Sequence, residues 1–443
     1  MSGPPGTTLA PPQGTLHLPG GRVGWSVGAF VVVALVLAGV VAFSHGRFSS
    51  GEYVPAYEVD TPGLLEGWYQ FDAGWYERVA QRGYDHVPGE QSPVAFFPAY
   101  PYAMAAVAPL VGGSEAVAGI VLTFACGMVA VALFTVWCRD RLAPDAVPWA
   151  VAALLLFPYS WYLVGAVYAD ALFLAATLGA FVLLERGHPM WAGVVGIVAA
   201  AGRPVAPAVV LALAVRALER RGALVRLASR ARPVGAAEPG SESTSIRRRS
   251  QKAWSDRIRP WLVGLGTPVG IDWRRARPAD AGVLLAAFGF LAYCGYLWAR
   301  FGDPFLFNTV QRYWDQPSGP ITWAKGHLVG NLIENLTDKP RYLLGCLFQG
   351  ALTVGALLLV PRVIRRFGWG YGALVGVLMA MPAIGSKDFQ GTGRYLLAAF
   401  PLFALAGEWL AERSASVRGS ILAASAVLLL LWAHLYARGF YVA

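Results

Sequence analysis

Residues 25–45 read WSVGAFVVVALVLAGVVAFSH, an unbroken apolar stretch long enough to cross a bilayer as one helix. Further apolar runs recur along the 443-residue chain, of which 56% is hydrophobic and only 14% is charged. The mean hydropathy is +0.49. These runs are continuous and do not alternate with polar residues, which favours membrane helices over a β-barrel. The sequence therefore predicts an all-α polytopic membrane protein.

About 11 transmembrane helices are expected from the lengths of the apolar runs. They are placed near residues 25–45, 115–137, 149–167, 170–186, 191–203, 204–218, 281–300, 341–360, 370–384, 394–411 and 419–437. Two further helices are expected in the interface plane. Apolar side chains recur at helical spacing over 67–82, and an aromatic, proline-containing stretch leads into 94–111.

Charge sets the expected orientation and the domain boundaries. Arginines crowd residues 219–280, as is typical of a cytoplasmic loop that faces anionic lipid, and this placement excludes a nucleic-acid partner. Residues 46–113 carry an acidic excess, which suits the non-cytoplasmic side. We expect a multi-pass protein of a bacterial plasma membrane. Its segments are listed in order: a disordered cytoplasmic tail at 1–24, an N-terminal membrane module at 25–218, a basic cytoplasmic insertion at 219–280, and a C-terminal module at 281–443 with an outer loop at 301–340.

Residues 71–76 read FDAGWY and place one carboxylate, Asp72, among aromatic side chains. Aromatic belts mark the lipid–water boundary, and an ionisable group there is a candidate functional residue. The sequence contains no P-loop, dinucleotide fingerprint or zinc motif. Chemistry on the outer face would then need a donor that is already activated and dissolved in the membrane.

Asp72 is the candidate general base, which would accept the proton of an acceptor hydroxyl. A departing lipid phosphate needs fixed positive charge, and Arg203, Arg394 and Lys387 are the outward-side cations that we assign to it. No cofactor is expected. The four cysteines lie in or beside apolar spans without metal-ligand spacing, so no metal site is expected either.

Each candidate also has a structural interpretation. Asp72 could cap or charge an interfacial helix, and Asp170 could be an N-cap. Arg203 and Arg394 could be boundary anchors whose side chains reach the interface. Lys387 could simply pair with the aspartate that follows it.

Several short blocks in one order resemble the PIG-V-like mannosyltransferases, which are multispanning glycosyltransferases of the GT-C class. The blocks are FDAGWY at 71–76, VAQRGY at 79–84, FFPAYP at 96–101, LFPY at 156–159, YADALF at 168–173, AGRP at 201–204, QRYW at 311–314 and RYLLAAFP at 394–401. The chain has Asp170 where that family usually has Glu, and Gly202 where it usually has Thr.

The resemblance implies a GT-C-like fold and a polyprenyl- or dolichyl-phosphate-mannose donor. It also implies an α-linked mannosyl product formed with inversion, and Asp72 as catalytic base. The candidate substrate-binding residues are Trp75, Tyr76, Arg82, Tyr84, Tyr168, Asp170, Gln311, Arg312 and Trp314. The acceptor could be a glycan, a lipid or a protein. A lipid-linked sugar transporter or flippase, and a non-enzymatic scaffold, are the alternative functions.

Overall fold

The computed structural model describes residues 23–47, 62–226, 269–317 and 319–442. Most of the expected tail at 1–24 and of the basic insertion at 219–280 lies outside these residues. The α-helices are listed in chain order: α1 (Gly24–Arg47), α2 (Ala73–Arg82), α3 (Ala99–Val107), α4 (Glu115–Arg139), α5 (Val147–Leu155), α6 (Asp170–Glu185), α7 (Pro189–Ala200), α8 (Pro207–Arg220), α9 (Ala287–Phe301), α10 (Leu306–Thr309), α11 (Pro320–Trp323), α12 (Gly326–Gly330), α13 (Leu332–Thr337), α14 (Pro340–Phe367), α15 (Trp369–Gly385), α16 (Thr392–Tyr395), α17 (Pro401–Ala411) and α18 (Ala415–Ala437).

Five helices in the described residues are long and apolar enough to cross a membrane. They are Gly24–His45, Glu115–Arg139, Pro278–Phe301, Pro340–Phe367 and Ala415–Ala437. Shorter apolar helices, such as α7, α15 and α17, pack among them. The chain is thus an integral membrane protein built from helices, although the expected count of 11 spans is not confirmed. In the described part of the chain the strands are β1 (Leu224–Arg226) and β2 (Val269–Ile271), which pair antiparallel.

Two expected spans are broken instead of continuous. The expected span at 149–167 contains two separate elements. Helix α5 ends at Leu155, and a 3₁₀ turn follows at Ser160–Leu163. Pro158 cannot donate the backbone hydrogen bond that a helix would need there. Hydroxyl groups replace the lost donors: Ser160 donates to the Leu154 carbonyl, and Ser425 donates to the Leu156 carbonyl at 2.7 Å. Similarly, residues 394–411 divide between α16, a 3₁₀ turn and α17.

The two expected interfacial helices are also divided. Residues 67–82 form a 3₁₀ turn at Glu66–Trp68 and then α2, with a non-helical turn between them. Residues 94–111 contain a 3₁₀ turn at Pro93–Ala95, then α3 and a second 3₁₀ turn at Ala108–Val111. The first of these interruptions places Asp72 at the start of α2 and not in the middle of a helix.

Small residues allow close approach of helices α7 and α9. Helix α9 crosses α7 at Gly289, where a Cβ atom would collide with the Ile197 carbonyl and lie 2.7 Å from the Ala201 nitrogen. Gly295 on the same helix has no atom within 4 Å of its Cβ position. Close backbone contact through small residues is a main source of packing energy between membrane helices.

The two glycines of α9 form a matched pair for testing this packing. We expect Gly289→Ala to destabilise the protein by about 1–3 kcal/mol because the backbone of α7 must shift. Gly295→Ala should leave stability unchanged or raise it slightly, since alanine favours helix. Thermal unfolding of the purified protein in detergent measures both. Equal stability of the two variants would contradict the close contact of α9 with α7 at Gly289.

Candidate active site

The turn that leads to Asp72 has a strained backbone. Phe71 adopts φ 54°, a left-handed conformation that residues with a side chain rarely adopt. Its ring packs against two tyrosines near the end of the chain, Tyr436 at 5.9 Å and Tyr441 at 5.0 Å between ring centroids. These contacts hold the turn in place, and strain of this kind tends to occur at functional sites.

Asp72 occupies the N-cap position of α2, but its side chain makes no capping hydrogen bond. The carboxylate instead faces Arg394, with 3.4 Å between Oδ2 and a guanidinium nitrogen. The Asp72 N–H donates to the hydroxyl of Tyr168 at 3.2 Å. The side chain keeps 24% of its surface exposed. Its position therefore does not serve helix capping, and the carboxylate remains reachable.

Arg203 and Asp170 form a buried ion pair beside this site. Their side chains are 6% and 2% exposed, and an Arg203 nitrogen donates to Asp170 Oδ1. Asp170 is the first residue of α6, and Ala169 holds the N-cap position, so Asp170 is not the cap. Burying two charges is costly unless they satisfy each other. The pair therefore fixes the guanidinium of Arg203 in place.

The two arginines share one aromatic neighbour. The Arg203 guanidinium carbon lies 4.2 Å from the Tyr395 ring centroid, and the Arg394 carbon lies 6.0 Å from it. Arg394 also lies 5.1 Å from the ring of Tyr168 and 5.8 Å from the ring of Tyr162. Aromatic faces attract cations and hold their planes in fixed orientations. The structure thus brings Asp72, Arg203 and Arg394 together, although they are far apart in sequence.

Two electrostatic effects oppose each other at Asp72, which lies outside the spanning helices. Burial raises the pKa of the carboxyl above its ordinary value, and the neighbouring Arg394 charge lowers it, with burial dominating. Burial likewise raises the pKa of Tyr76, so this phenol stays neutral. A carboxylate with a raised pKa is a stronger base than an ordinary aspartate.

Several aromatic candidates pack on or beside α2. Trp75 stacks on Phe96 with 5.9 Å between ring centroids and meets Trp314 edge-on at 5.5 Å. Tyr76 contacts the ring of Tyr168 at 6.0 Å. Trp75, Tyr76, Tyr168 and Trp314 therefore form one aromatic wall with the turn that carries Asp72.

Other sequence candidates lie apart from this cluster. Arg82 is the exposed last residue of α2, about 15 Å along the helix from Asp72. Tyr84 is buried and donates to the Phe96 carbonyl at 2.7 Å, which is a structural contact. Gln311 and the exposed Arg312 bond to backbone carbonyls of their own segment, Phe307 at 3.3 Å and Thr309 at 3.1 Å.

Lys387 does not pair with the aspartate beside it, as one interpretation expected. Its ammonium group binds Asp315 in the outer loop, and its backbone N–H donates to Gln316 at 2.9 Å. Asp388 accepts a hydrogen bond from the Tyr342 hydroxyl at 2.7 Å. Lys387 thus joins the segment that follows α15 to the segment around Asp315, and Asp315 already neutralises its charge.

Sequence inspection missed the aromatic support of the site. Tyr162, Tyr436 and Tyr441 contact Arg394 or Phe71, yet none was singled out as a candidate. The only local signal was the density of aromatic residues around 159–162 and near the C-terminus. In the described parts of the chain, no group of three or more His, Cys, Asp or Glu side chains is arranged to hold a metal ion.

A second charged cluster gathers other basic residues, separate from the Asp72 contacts. Glu185 accepts from Arg141 at 3.0 Å, Arg216 at 2.6 Å and the Tyr371 hydroxyl at 2.8 Å. Glu219 accepts the N–H of Trp369 at 2.8 Å at the N-terminus of α15. Arg141 follows α4 and Arg216 lies in the last turns of α8, so this cluster ties the ends of these helices to α6 and α15.

Comparison with known proteins finds only distant likeness. No protein-family model matches the sequence, and no curated protein matches it significantly. A crystal structure of ArnT from Cupriavidus metallidurans bound to undecaprenyl phosphate is similar, with 16% identity over 95% of this chain and 76% of that chain and a TM-score of 0.43. The oligosaccharyltransferase of Archaeoglobus fulgidus in the apo form has 11% identity over 94% of this chain and 56% of that chain, with a TM-score of 0.41. Both TM-scores lie below 0.5, so this likeness is too distant to define the class of the chain.

The buried pair yields a stability prediction. Asp170→Asn should cost about 3–5 kcal/mol because it leaves the Arg203 charge buried without a counter-ion. The double variant Asp170→Leu/Arg203→Met should recover most of that loss, since no buried charge remains. Thermal unfolding in detergent compares the two with the parent protein. An Asp170→Asn protein as stable as the parent would show that the pair is not desolvated.

Proposed function

We propose that this chain is a membrane glycosyltransferase of the GT-C class that uses a lipid-linked sugar donor. The observation that carries the proposal is the Asp72 carboxylate held beside the Arg394 guanidinium, with the Arg203 guanidinium near the same Tyr395 ring. A base and two fixed cations within one aromatic recess suit a reaction that deprotonates a hydroxyl while a phosphate departs. We place the site on the non-cytoplasmic face.

The proposed donor is polyprenyl- or dolichyl-phosphate-mannose. Asp72 takes the proton of the acceptor hydroxyl, whose oxygen attacks the anomeric carbon of the sugar. The bond from that carbon to the phosphate oxygen breaks, and the electron pair leaves with the lipid phosphate. Attack from the opposite face inverts the anomeric carbon. The acceptor is a hydroxyl of a glycan, lipid or protein.

The arginines have different roles in this proposal. Arg394 has an Nε atom without a partner among the described residues, so its guanidinium has donors to spare for phosphate oxygens. Arg203 is held by Asp170 and adds fixed positive charge. When the monoanionic phosphodiester of the donor pairs with Arg394, the Arg394 charge lowers the pKa of Asp72 less. Donor binding therefore strengthens the base at the step that needs it.

Lys387 is the weakest of the three proposed phosphate ligands because Asp315 already binds its ammonium group. We therefore assign the phosphate chiefly to Arg394 and Arg203. Trp75 and Trp314 are only partly buried beside the turn that carries Asp72 and suit stacking against a sugar ring. Tyr168 is buried beneath Arg394 and supports that guanidinium.

The base assignment is tested by Asp72→Asn. We expect transfer of radiolabelled mannose from polyprenyl-phosphate-mannose into membrane acceptors to fall by about 10²–10⁴-fold, with normal expression and thermal stability. Asp85→Asn is the matched control, because Asp85 lies in the same loop and pairs with Arg78 at the surface. Full transfer by the purified Asp72→Asn protein would remove Asp72 as the base.

The pH dependence of transfer tests the pairing with Arg394. The base is lost when it protonates, so kcat/KM should fall as the pH drops through the raised pKa of Asp72. Arg394→Gln removes the cation that lowers this pKa, so the acid limb should move up by about 1–3 pH units. Arg82→Gln, which changes an exposed arginine of the same loop, should leave the limb in place. If the acid limb of kcat/KM does not move in Arg394→Gln, then the charge of Arg394 does not lower the pKa of Asp72.

A further inference from the structure

One histidine joins three separate segments next to the turn that carries Asp72. His45 lies near the end of α1, and its Nε2 is 3.0 Å from Oε2 of Glu66. Its Nδ1 is 3.1 Å from the carbonyl oxygen of Ala437, the last residue of α18. The ring therefore contacts the ends of α1 and α18 and the first residue of the 3₁₀ turn at Glu66–Trp68.

The two contacts of His45 require a proton on each ring nitrogen. A carbonyl oxygen and a carboxylate oxygen only accept hydrogen bonds, and a neutral imidazole carries a single N–H. A neutral ring can therefore satisfy one contact and not both. The imidazolium form donates to both acceptors at once, so the observed geometry matches the charged ring.

The turn beyond Glu66 is packed against the same two helices. A Cβ atom at Gly67 would lie 2.7 Å from a Val41 methyl group and 3.2 Å from the Cβ of His45. The Trp68 carbonyl accepts a hydrogen bond from the Tyr436 hydroxyl at 3.1 Å. The residues that follow Glu66 are therefore held against both α1 and α18, a few positions before Asp72.

The other titratable groups on the packed elements have their own contacts. His434 on α18 lies 2.8 Å from the Ser44 hydroxyl through Nδ1. Arg438 follows α18, and its guanidinium carbon lies 5.2 Å from the ring of Phe440. Glu66 is thus the carboxylate that the structure shows bonded to His45.

We propose that His45 is a positioning residue whose doubly protonated ring clamps the ends of α1 and α18 to the turn that carries Asp72, so that this turn loosens as the pH rises. Imidazole side chains change charge between about pH 5 and 8. The clamp itself depends only on the contacts of His45. The inference that a loosened turn misplaces Asp72 as the catalytic base rests on the proposed function.

Hydrogen–deuterium exchange of the full-length protein in nanodiscs tests the clamp without any transfer assay. Peptides that cover residues 62–72 are followed at pH 6 and pH 8.5, after correction for the intrinsic pH dependence of exchange. We expect the parent protein to lose about tenfold in protection at the higher pH, because one charge-assisted hydrogen bond is lost. Glu66→Ala should show the low protection at both pH values.

Glu66→Gln is the sharpest variant. A glutamine amide donates to the unprotonated Nε2 while Nδ1–H still donates to Ala437, so the neutral ring satisfies both contacts. Protection of residues 62–72 should then stay high at both pH values. Glu90→Gln, an exposed residue of the same loop, and His434→Gln should both behave as the parent protein does.

The clamp is overturned if the protection of the parent protein does not change with pH, or if Glu66→Gln is as unprotected as Glu66→Ala. If His434→Gln loses the pH response, then that response belongs to His434 and not to His45. Absence of mannosyl transfer together with the expected exchange pattern would reject the proposed function and leave the clamp standing. Active mannosyl transfer together with protection of residues 62–72 that does not change with pH would reject the clamp and leave the proposed function standing.

Discussion

The candidate site depends on the rule that a charge withdrawn from water must have a partner. Asp170 and Arg203 are almost completely buried and form an ion pair, which holds one guanidinium against Tyr395. Arg394 lies on the same ring and reaches Asp72. The cost of desolvation therefore keeps both arginines and the carboxylate in one place, whereas each would be mobile on an aqueous surface.

The long helices were predictable because their signal is local. An apolar stretch of about 20 residues specifies a helix whatever its neighbours do, since the backbone must satisfy its own hydrogen bonds in lipid. Residues 25–45, 115–137 and 419–437 accordingly correspond to α1, α4 and α18. The expected spans at 149–167 and 394–411 were wrong as single helices. Their interruptions depend on side chains such as Ser425, which supplies a hydrogen bond from another helix to the Leu156 carbonyl.

The candidate site was partly predictable for the same reason. Charged residues are rare in an apolar chain, so Asp72, Arg203 and Arg394 stand out, and the structure places them together. Their catalytic roles stay predictions. Partners that come from distant segments carry no comparable signal. The sequence places Lys387 beside Asp388, yet folding pairs Lys387 with Asp315.

The strained turn at Phe71 explains why tyrosines that follow or end α18 belong to a site that begins before α2. A left-handed Phe71 costs on the order of 1–3 kcal/mol unless surrounding contacts hold it. Those contacts come from Tyr436 and Tyr441, and the preceding turn is bonded to Tyr436 through the Trp68 carbonyl. The direction of the Asp72 carboxylate is therefore set by residues more than 300 positions away in the chain. Packing of residues 66–72 against α18 and the residues after it thus determines the geometry of the site.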